Sequence, residues 1–371
     1  MVKLLHLADI HLDSPFRNTE YSESVKRRED TRRVFADALA FAKKNGVSVV
    51  LISGDLFDSE YYTENTVSFL SDAFKSMPEC RFVISPGNHD PYKHGSPFAL
   101  GVFPENVFVF SSEKMQSITF DDLGLTVYGY AFTSVSYTER PLRGFTASGD
   151  GFNVLCAHAD TEAPLSSYAS ISAEELSQSG LDYAALGHIH TKKDIRISGK
   201  TVYAYSGALT GRDFSEHGEN GGILVTLDTV NGKKDVRTER VTFCPWVYKT
   251  VTVNLCDVKS EELISTVTKQ LSDQALQGRE EIIRLILTGS VGYEVDTAKL
   301  LSALPSFGIK EIQNKTVGEQ SCLGLSDDFS IRGELYRTLS PLLNSEDDGQ
   351  REIAKAALVL GLRALSRTEL E

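Results

Sequence analysis

Along the first part of the chain, short apolar runs alternate with longer stretches whose apolar positions recur every three to four residues. VKLLHLA, VSVVLIS and RFVISPG read as strands, while the segments from about Ser24 to Asn45 and about Thr63 to Met77 carry helical spacing, so a βαβαβ rhythm is predicted. From about Val107 the pattern tightens into closely spaced strand-like runs, NVFVF, SITF, LTVYGYAF, FNVLCAH, DYAALGH, KTVYAYSG and GILVTLD, separated by Gly and Asn-Gly turns. These predict a β-rich layered core within an α/β fold class. Between Val241 and Lys249 the character changes again. YKTVTVNL, a helical Ser260 to Leu271, EIIRLILTG, a short helical segment and IKEIQNK predict a small separate α/β unit. Boundaries are therefore expected at 1–245, 246–320 and 321–371, the last holding helices from about Asp327 to Leu343 and Gly349 to Ala364 around the polar linker NSEDDGQ. In REIAKAALVLGLRAL, Ile353, Ala357, Leu360 and Ala364 fall on one helical face with Ala356 and Leu358 beside it. A stripe that wide either packs on its own unit or receives a partner helix.

Composition narrows the class. Length of 371 residues exceeds what one core usually supports, and 41% hydrophobic with 24% charged residues describes an ordinary globular chain rather than a disordered or fibrous one. A net charge of −13 excludes a protein that coats nucleic acid by bulk attraction, so any contact with DNA is local and expected to be salt-sensitive. Cys80, Cys156, Cys244, Cys256 and Cys322 are odd in number and scattered, which predicts buried free thiols rather than a disulfide framework or zinc ribbon. Met1 runs straight into VKLLHLAD, with no basic leader followed by a long apolar stretch, and no later run approaches a spanning length; a cytoplasmic location is expected.

The chemistry concentrates where strand-like runs end. ADIH offers Asp9 and His11, SGDLFD offers Asp55, PGNHD offers Asn88 and His89, CAHAD offers His158, and LGHIH offers His188 and His190. In extended backbone, residues two apart face one side, so Asp9 with His11, and His188 with His190, can each aim two groups into one cleft. Gly54, Gly87 and Gly187 precede them where tight loops are needed. Carboxylate, imidazole and amide donors without thiolate suit Mn, Fe, Zn or Mg. A natural division gives one ion Asp9, His11 and His190 and the other Asn88, His158 and His188, with Asp55 bridging metals roughly 3.5–4 Å apart. Two such cofactor ions lower the pKa of a bridging water and neutralise the phosphate it attacks, which is phosphoester hydrolysis. His89 is then placed to stabilise the pentacoordinate state or protonate the leaving oxygen. Asp58 either fixes the His89 tautomer or caps the helix that follows.

Taken together, DIH, GDLFD, GNHD, GHIH and the histidine of CAHAD resemble the calcineurin-like metallophosphoesterase superfamily. HLADIHLDSPF, VVLISGDLFD, VISPGNHD and YSGALTGRDFSEHGENGG look more narrowly like SbcD-type DNA repair exonucleases of the YhaO-like branch, over about residues 1–245. The resemblance implies a four-layer α/β/β/α sandwich with a small C-terminal α/β capping domain and helical tail. It also implies manganese-dependent cleavage of DNA, ligands at Asp9, His11, Asp55, Asn88, His158, His188 and His190, a catalytic His89, and a C-terminal segment that docks on an SMC-like coiled-coil ATPase. Association into a homodimer is a further expectation.

The alternative enzyme is a phosphoesterase acting on nucleotides, cyclic nucleotides or other small phosphodiesters, since the metal motifs are shared. A protein Ser/Thr phosphatase fits less well, because the chain reads GDLFDSE and GNHD rather than GDxxDRG and GNHE. A non-catalytic scaffold would be marked by lost ligands, and all are present. Lys26, Arg27, Arg28, Arg32 and Arg33 follow the first metal loop and are candidates to grip phosphates, or else form a solvated face paired with Glu29 and Asp30. Tyr61 and Tyr62 are candidates to stack on a splayed base or simply to pack.

Overall fold

Strand β1 (Val2–Leu7) turns alternate side chains to opposite faces, and Val2 and Leu4 enter an apolar core shared by two sheets. These come from a computed structural model that describes residues 1–16, 21–58, 62–148, 150–318 and 325–367. The chain continues through α1 (Tyr21–Lys44), β2 (Val49–Ile52), α2 (Glu64–Lys75), β3 (Arg81–Ile84) and β4 (Val107–Val109), giving the predicted rhythm. β1 pairs in parallel with β2 through Leu4↔Val49 to Leu7↔Ile52, and β2 with β3 and β3 with β4 continue in the same sense. The sheet is completed from far along the sequence: β11 (Gly221–Val230) lies antiparallel to β1, and β12 (Lys233–Thr242) antiparallel to β11.

The second sheet is built from β5 (Gln116–Phe120), β6 (Leu125–Gly129), β7 (Phe152–His158), β8 (Tyr183–Gly187), β9 (Arg196–Ser198) and β10 (Thr201–Tyr205) in the order β5-β6-β7-β8-β10-β9. FNVLCAH and YAALG are buried throughout because both faces are covered. Val154, Cys156, Tyr183 and Ala185 face the first sheet. Leu155, Ala157, Ala184 and Leu186 face outward, where Leu176 of α3 (Ala173–Gln178) packs on them. On the opposite side, Phe74 of α2 stacks 4.4 Å from Phe82 of β3 and 6.4 Å from Phe35 of α1. The result is the expected α/β/β/α layering. His6, whose position in β1 predicts core or support for the site, spans the two sheets. Its Nε2–H donates to Leu186 O at 3.1 Å, which leaves Nδ1 to accept from Tyr183 OH at 2.9 Å.

The chain divides into two compact units, Met1–Val247 and Tyr248–Glu371. The second contains a three-stranded sheet of β13 (Trp246–Asn254), β14 (Glu280–Val291) and β15 (Ile309–Gly318), with α4 (Leu263–Asp273) and α5 (Thr297–Ala303) packed through Val267, Leu271 and Leu300. Its tail is a helical pair, α6 (Ile331–Leu343) and α7 (Asp348–Arg367). Here the predicted stripe is out of phase. α7 buries Ala354, Leu358 and Leu362, the last two packing with Leu335, Tyr336 and Leu339 of α6, while Ile353 and Leu360 are 72% and 65% exposed. The helix is apolar on two faces, and the pattern alone does not say which one the hairpin covers.

Among the described residues no helix is long and apolar enough to cross a membrane. Cys80, Cys156 and Cys244 are buried free thiols; Cys256 is exposed, and Cys322 lies outside the described residues.

Candidate metal centre

The candidate residues gather at the carboxyl ends of β1, β2, β3, β7 and β8, where the two sheets meet. Asp9 and His11 do not share a face by strand alternation. They lie past the end of β1 in left-handed backbone, with φ of 50° and 49°, as do Asp55 (53°) and His188 (101°). For residues with a Cβ such conformations cost of the order of 1–3 kcal/mol each and persist only where the surroundings fix them. Here Asp9 N–H donates to Gly54 O at 3.1 Å, Ile10 and His11 N–H both donate to Asp55 O at 2.9 Å, and His188 N–H donates to Asp9 Oδ1 at 3.0 Å. The loops therefore hold one another. Of the three preceding glycines only Gly54 needs positive φ, at 89°; Gly87 leaves room for Asp55 Oδ1, which a Cβ would approach to 2.2 Å.

Two groups form around Asp55. On one side His11 Nε2 lies 3.3 Å from His190 Nε2 and 3.6 Å from Asp55 Oδ2, with Asp9 Oδ1 3.7 Å from His190 Nε2. On the other, His158 Nε2 lies 3.4 Å from the same Asp55 oxygen and 2.9 Å from Asn88 Oδ1. The His188 ring packs against His158 at 5.2 Å and against Tyr168 at 4.6 Å. His158 Nδ1–H donates to Ser53 O at 3.1 Å, directing Nε2 into the site.

The donor set fits divalent cations. Asp55 Oδ2 is buried without a hydrogen-bond partner, and Asp9 and Asp55 are 1% exposed apiece. Burial pushes the Asp9 carboxyl up against the pull of His190 and His158, a tension that a bound cation would relieve. Burial, with Arg212 and the neighbouring histidines, holds His11 well below the usual imidazole value, and burial and His158 take His188 down to about 4. Both rings are neutral near pH 7, as ligands must be.

His89 stands beside this cluster with its side chain 42% exposed. Its Nδ1 lies 3.0 Å from Asp58 Oδ1, and that hydrogen bond raises the histidine. Burial alone would raise the Asp58 carboxyl, but the hydrogen bonds from His89 and Ser14, with the charges of His89 and Arg212, together outweigh it and the pKa falls. The α2 cap is Thr63, not Asp58. Beside His89 a shallow crevice is lined by Phe57, Tyr62, Lys93 and Phe98, with Tyr62 OH donating to Gly95 O at 3.1 Å. Arg27 is buried, its guanidinium 5.2 Å over the Trp246 ring, and Arg28 is half-buried on α1. Tyr61 lies outside the described residues.

Several neighbours carry no signal in the spacing of the ligands. Asp90 accepts from the N–H groups of Asp55, Leu56, Phe57 and Gly87 at 2.7–3.2 Å, so the last letter of PGNHD welds the β2 and β3 loops. Glu216 Oε1 lies 2.7 Å from His190 Nδ1; burial opposes its charge, but His190 and Arg212 bring its carboxyl down to about 2. Asp13, in HLDSPF, pairs with Arg32 and accepts from Thr63 N–H at 2.9 Å, joining the first loop to α1 and α2.

Among known proteins, residues 2–192 match the family described as calcineurin-like phosphoesterase. An uncharacterized metallophosphoesterase of Bacillus subtilis, YhaO, is 27% identical over 77% of this chain and 71% of its own length. A DNA double-strand break repair protein, Mre11, of Saccharolobus solfataricus is 26% identical over 78% of this chain and 76% of its own. The Mre11 of Aeropyrum pernix is 30% identical over 56% of this chain and 54% of its own, so the match spans about half of that relative.

Proposed function

The chain belongs to the calcineurin-like phosphoesterases, hydrolases of phosphoesters, and on that premise we propose that it is a manganese-dependent DNA nuclease of the repair type. One observation carries the reading: a buried carboxylate oxygen, Asp55 Oδ2, lacks a partner and lies between imidazoles on both sides, with a half-exposed histidine next to the cluster. Asp9, His11 and His190 would hold one ion and Asn88, His158 and His188 the other, with Asp55 between them. Two bound divalent ions supply a nucleophilic hydroxide near neutral pH and neutralise phosphate charge.

The protein's own groups do the rest. With Nδ1–H donated to Asp58, His89 offers Nε2 to the phosphate or its leaving oxygen. A set of oxygen and nitrogen donors without sulfur accommodates manganese as it does iron, zinc or magnesium, and the choice of manganese rests on the family resemblance. DNA as substrate is supported by the similarity to the Mre11 relatives, which are DNA double-strand break repair proteins. The second unit would serve as the capping domain. Its tail leaves Phe329, Ile331, Ile353 and Leu360 exposed, which supports docking of a partner there; the partner proposed from the family resemblance is an SMC-like coiled-coil ATPase, and a cytoplasmic location and a homodimer are proposed with it.

Wild-type and His89→Ala protein with manganese, tested on end-labelled single- and double-stranded DNA and on bis-p-nitrophenyl phosphate, separate the alternatives. Shortening of DNA by wild type alone is expected. Cleavage of the small ester without DNA would move the assignment to a small phosphodiester.

A further inference from the structure

One guanidinium in the centre serves neither as a metal ligand nor as the histidine facing substrate. Arg212 comes from the loop between β10 and β11, and its side chain is 18% exposed. Its backbone N–H donates to Glu216 Oε2 at 2.8 Å, and its Nε and Nη2 donate to Glu216 Oε1 at 3.0 and 2.5 Å. Its other arm, Nη1, lies 3.8 Å from Asp58 Oδ2. Each of these carboxylates supports a histidine. Glu216 Oε1 is 2.7 Å from His190 Nδ1, and Asp58 Oδ1 is 3.0 Å from His89 Nδ1. Both rings in turn pack edge-on against His11 with centroids 4.9 Å away. Because His190 Nε2 points at His11 and Asp9, Nδ1 carries the proton and donates it to Glu216, and the guanidinium beside it is left to hold the carboxylate.

We infer that Arg212 is a positioning residue that orients His190 and His89 together, by clamping the two carboxylates on which those histidines lean. The inference rests on the reading above, in which His190 holds metal and His89 faces phosphate. A planar fork can address two carboxylates at once, which an ammonium cannot do with the same geometry. The Glu216 and Asp58 side chains are only 3% and 13% exposed, so without the cation two poorly solvated negative groups would face each other and turn away. A loop spacing of four, Arg212 to Glu216, thus reaches two histidines that are 101 positions apart, at 190 and 89.

The test is manganese titration by calorimetry of the full chain as wild type, Arg212→Gln, Arg212→Lys and Glu216→Gln, with folding followed by circular dichroism. Wild type should bind two ions. Glu216→Gln and Arg212→Gln should each weaken one of them about 10- to 100-fold, the usual effect of losing a partner of a ligand histidine. Arg212→Lys keeps the charge without the fork; it should fold and recover only part of that affinity, and it carries the test if Arg212→Gln does not fold. At saturating manganese, hydrolysis of bis-p-nitrophenyl phosphate should lose kcat rather than gain KM in Arg212→Lys, and the loss should be less than additive with Asp58→Asn. Wild-type manganese affinity in the Arg212 variants, or full additivity with Asp58→Asn, would overturn the clamp. A wild-type chain that binds no manganese would sink the metal reading first and the clamp with it.

Discussion

Gly187 sits where a methyl group has no room: a Cβ there would stand 1.9 Å from Ser53 O and 3.0 Å from His158 Nδ1. Backbone cannot yield as a side-chain tip can, so Gly187→Ala should destabilise by about 1–3 kcal/mol and displace His158. Thermal denaturation with and without manganese reads both effects; a variant that melts like wild type and gains the same stabilisation from the ion would contradict the close approach. His6 makes a different kind of prediction. Burial takes it from 6.5 to about 3, so its contribution to stability is complete above its unfolded value and is lost as pH falls from there toward 3. Between pH 7 and pH 5 that loss is about 2 kcal/mol. Urea midpoints at the two pH values should differ less for His6→Leu than for wild type, and equal differences would refute the assignment. The candidate ligands were legible as residue types at strand ends. Arg212, Glu216 and Asp90 were not, although their letters stand in the stretches that carry the resemblance, because their partners are fixed by loops that meet only in the fold.

At the scale of elements, near-continuous apolar runs mark β1, β2, β3, β7 and β8 because each is covered on both faces. β12 escapes this pattern. KKDVRTERVT is a charged edge strand whose identity comes from ten paired positions with β11, and charge of this kind disfavours further pairing at a sheet edge. α3 escapes as well, being short and defined by the Ser172–Glu175 capping box rather than by a stripe. For α7 the sequence offers two apolar faces, and the structure chooses between them. Leu358→Ala should cost about 2–5 kcal/mol in denaturant unfolding, whereas Leu360→Ala should stay within about 0.5 kcal/mol of wild type. The reverse order would return the packed face to the one that Ile353 and Leu360 share.

The whole molecule explains why strands so distant in sequence make one site. Two sheets stack through their inner faces, and parallel strands of each deliver their carboxyl ends to the same rim, so a loop after β1 meets a loop after β8. Strained loops, buried carboxylates and neutral imidazoles at that rim are all arrangements that a pair of cations would stabilise. Anomalous diffraction from crystals soaked in manganese tests this most directly. Two peaks are expected roughly 3.5–4 Å apart, one beside Nε2 of His11 and His190, the other beside His158 Nε2 and Asn88 Oδ1, with Asp55 between. A single peak, or peaks away from Asp55, would contradict it.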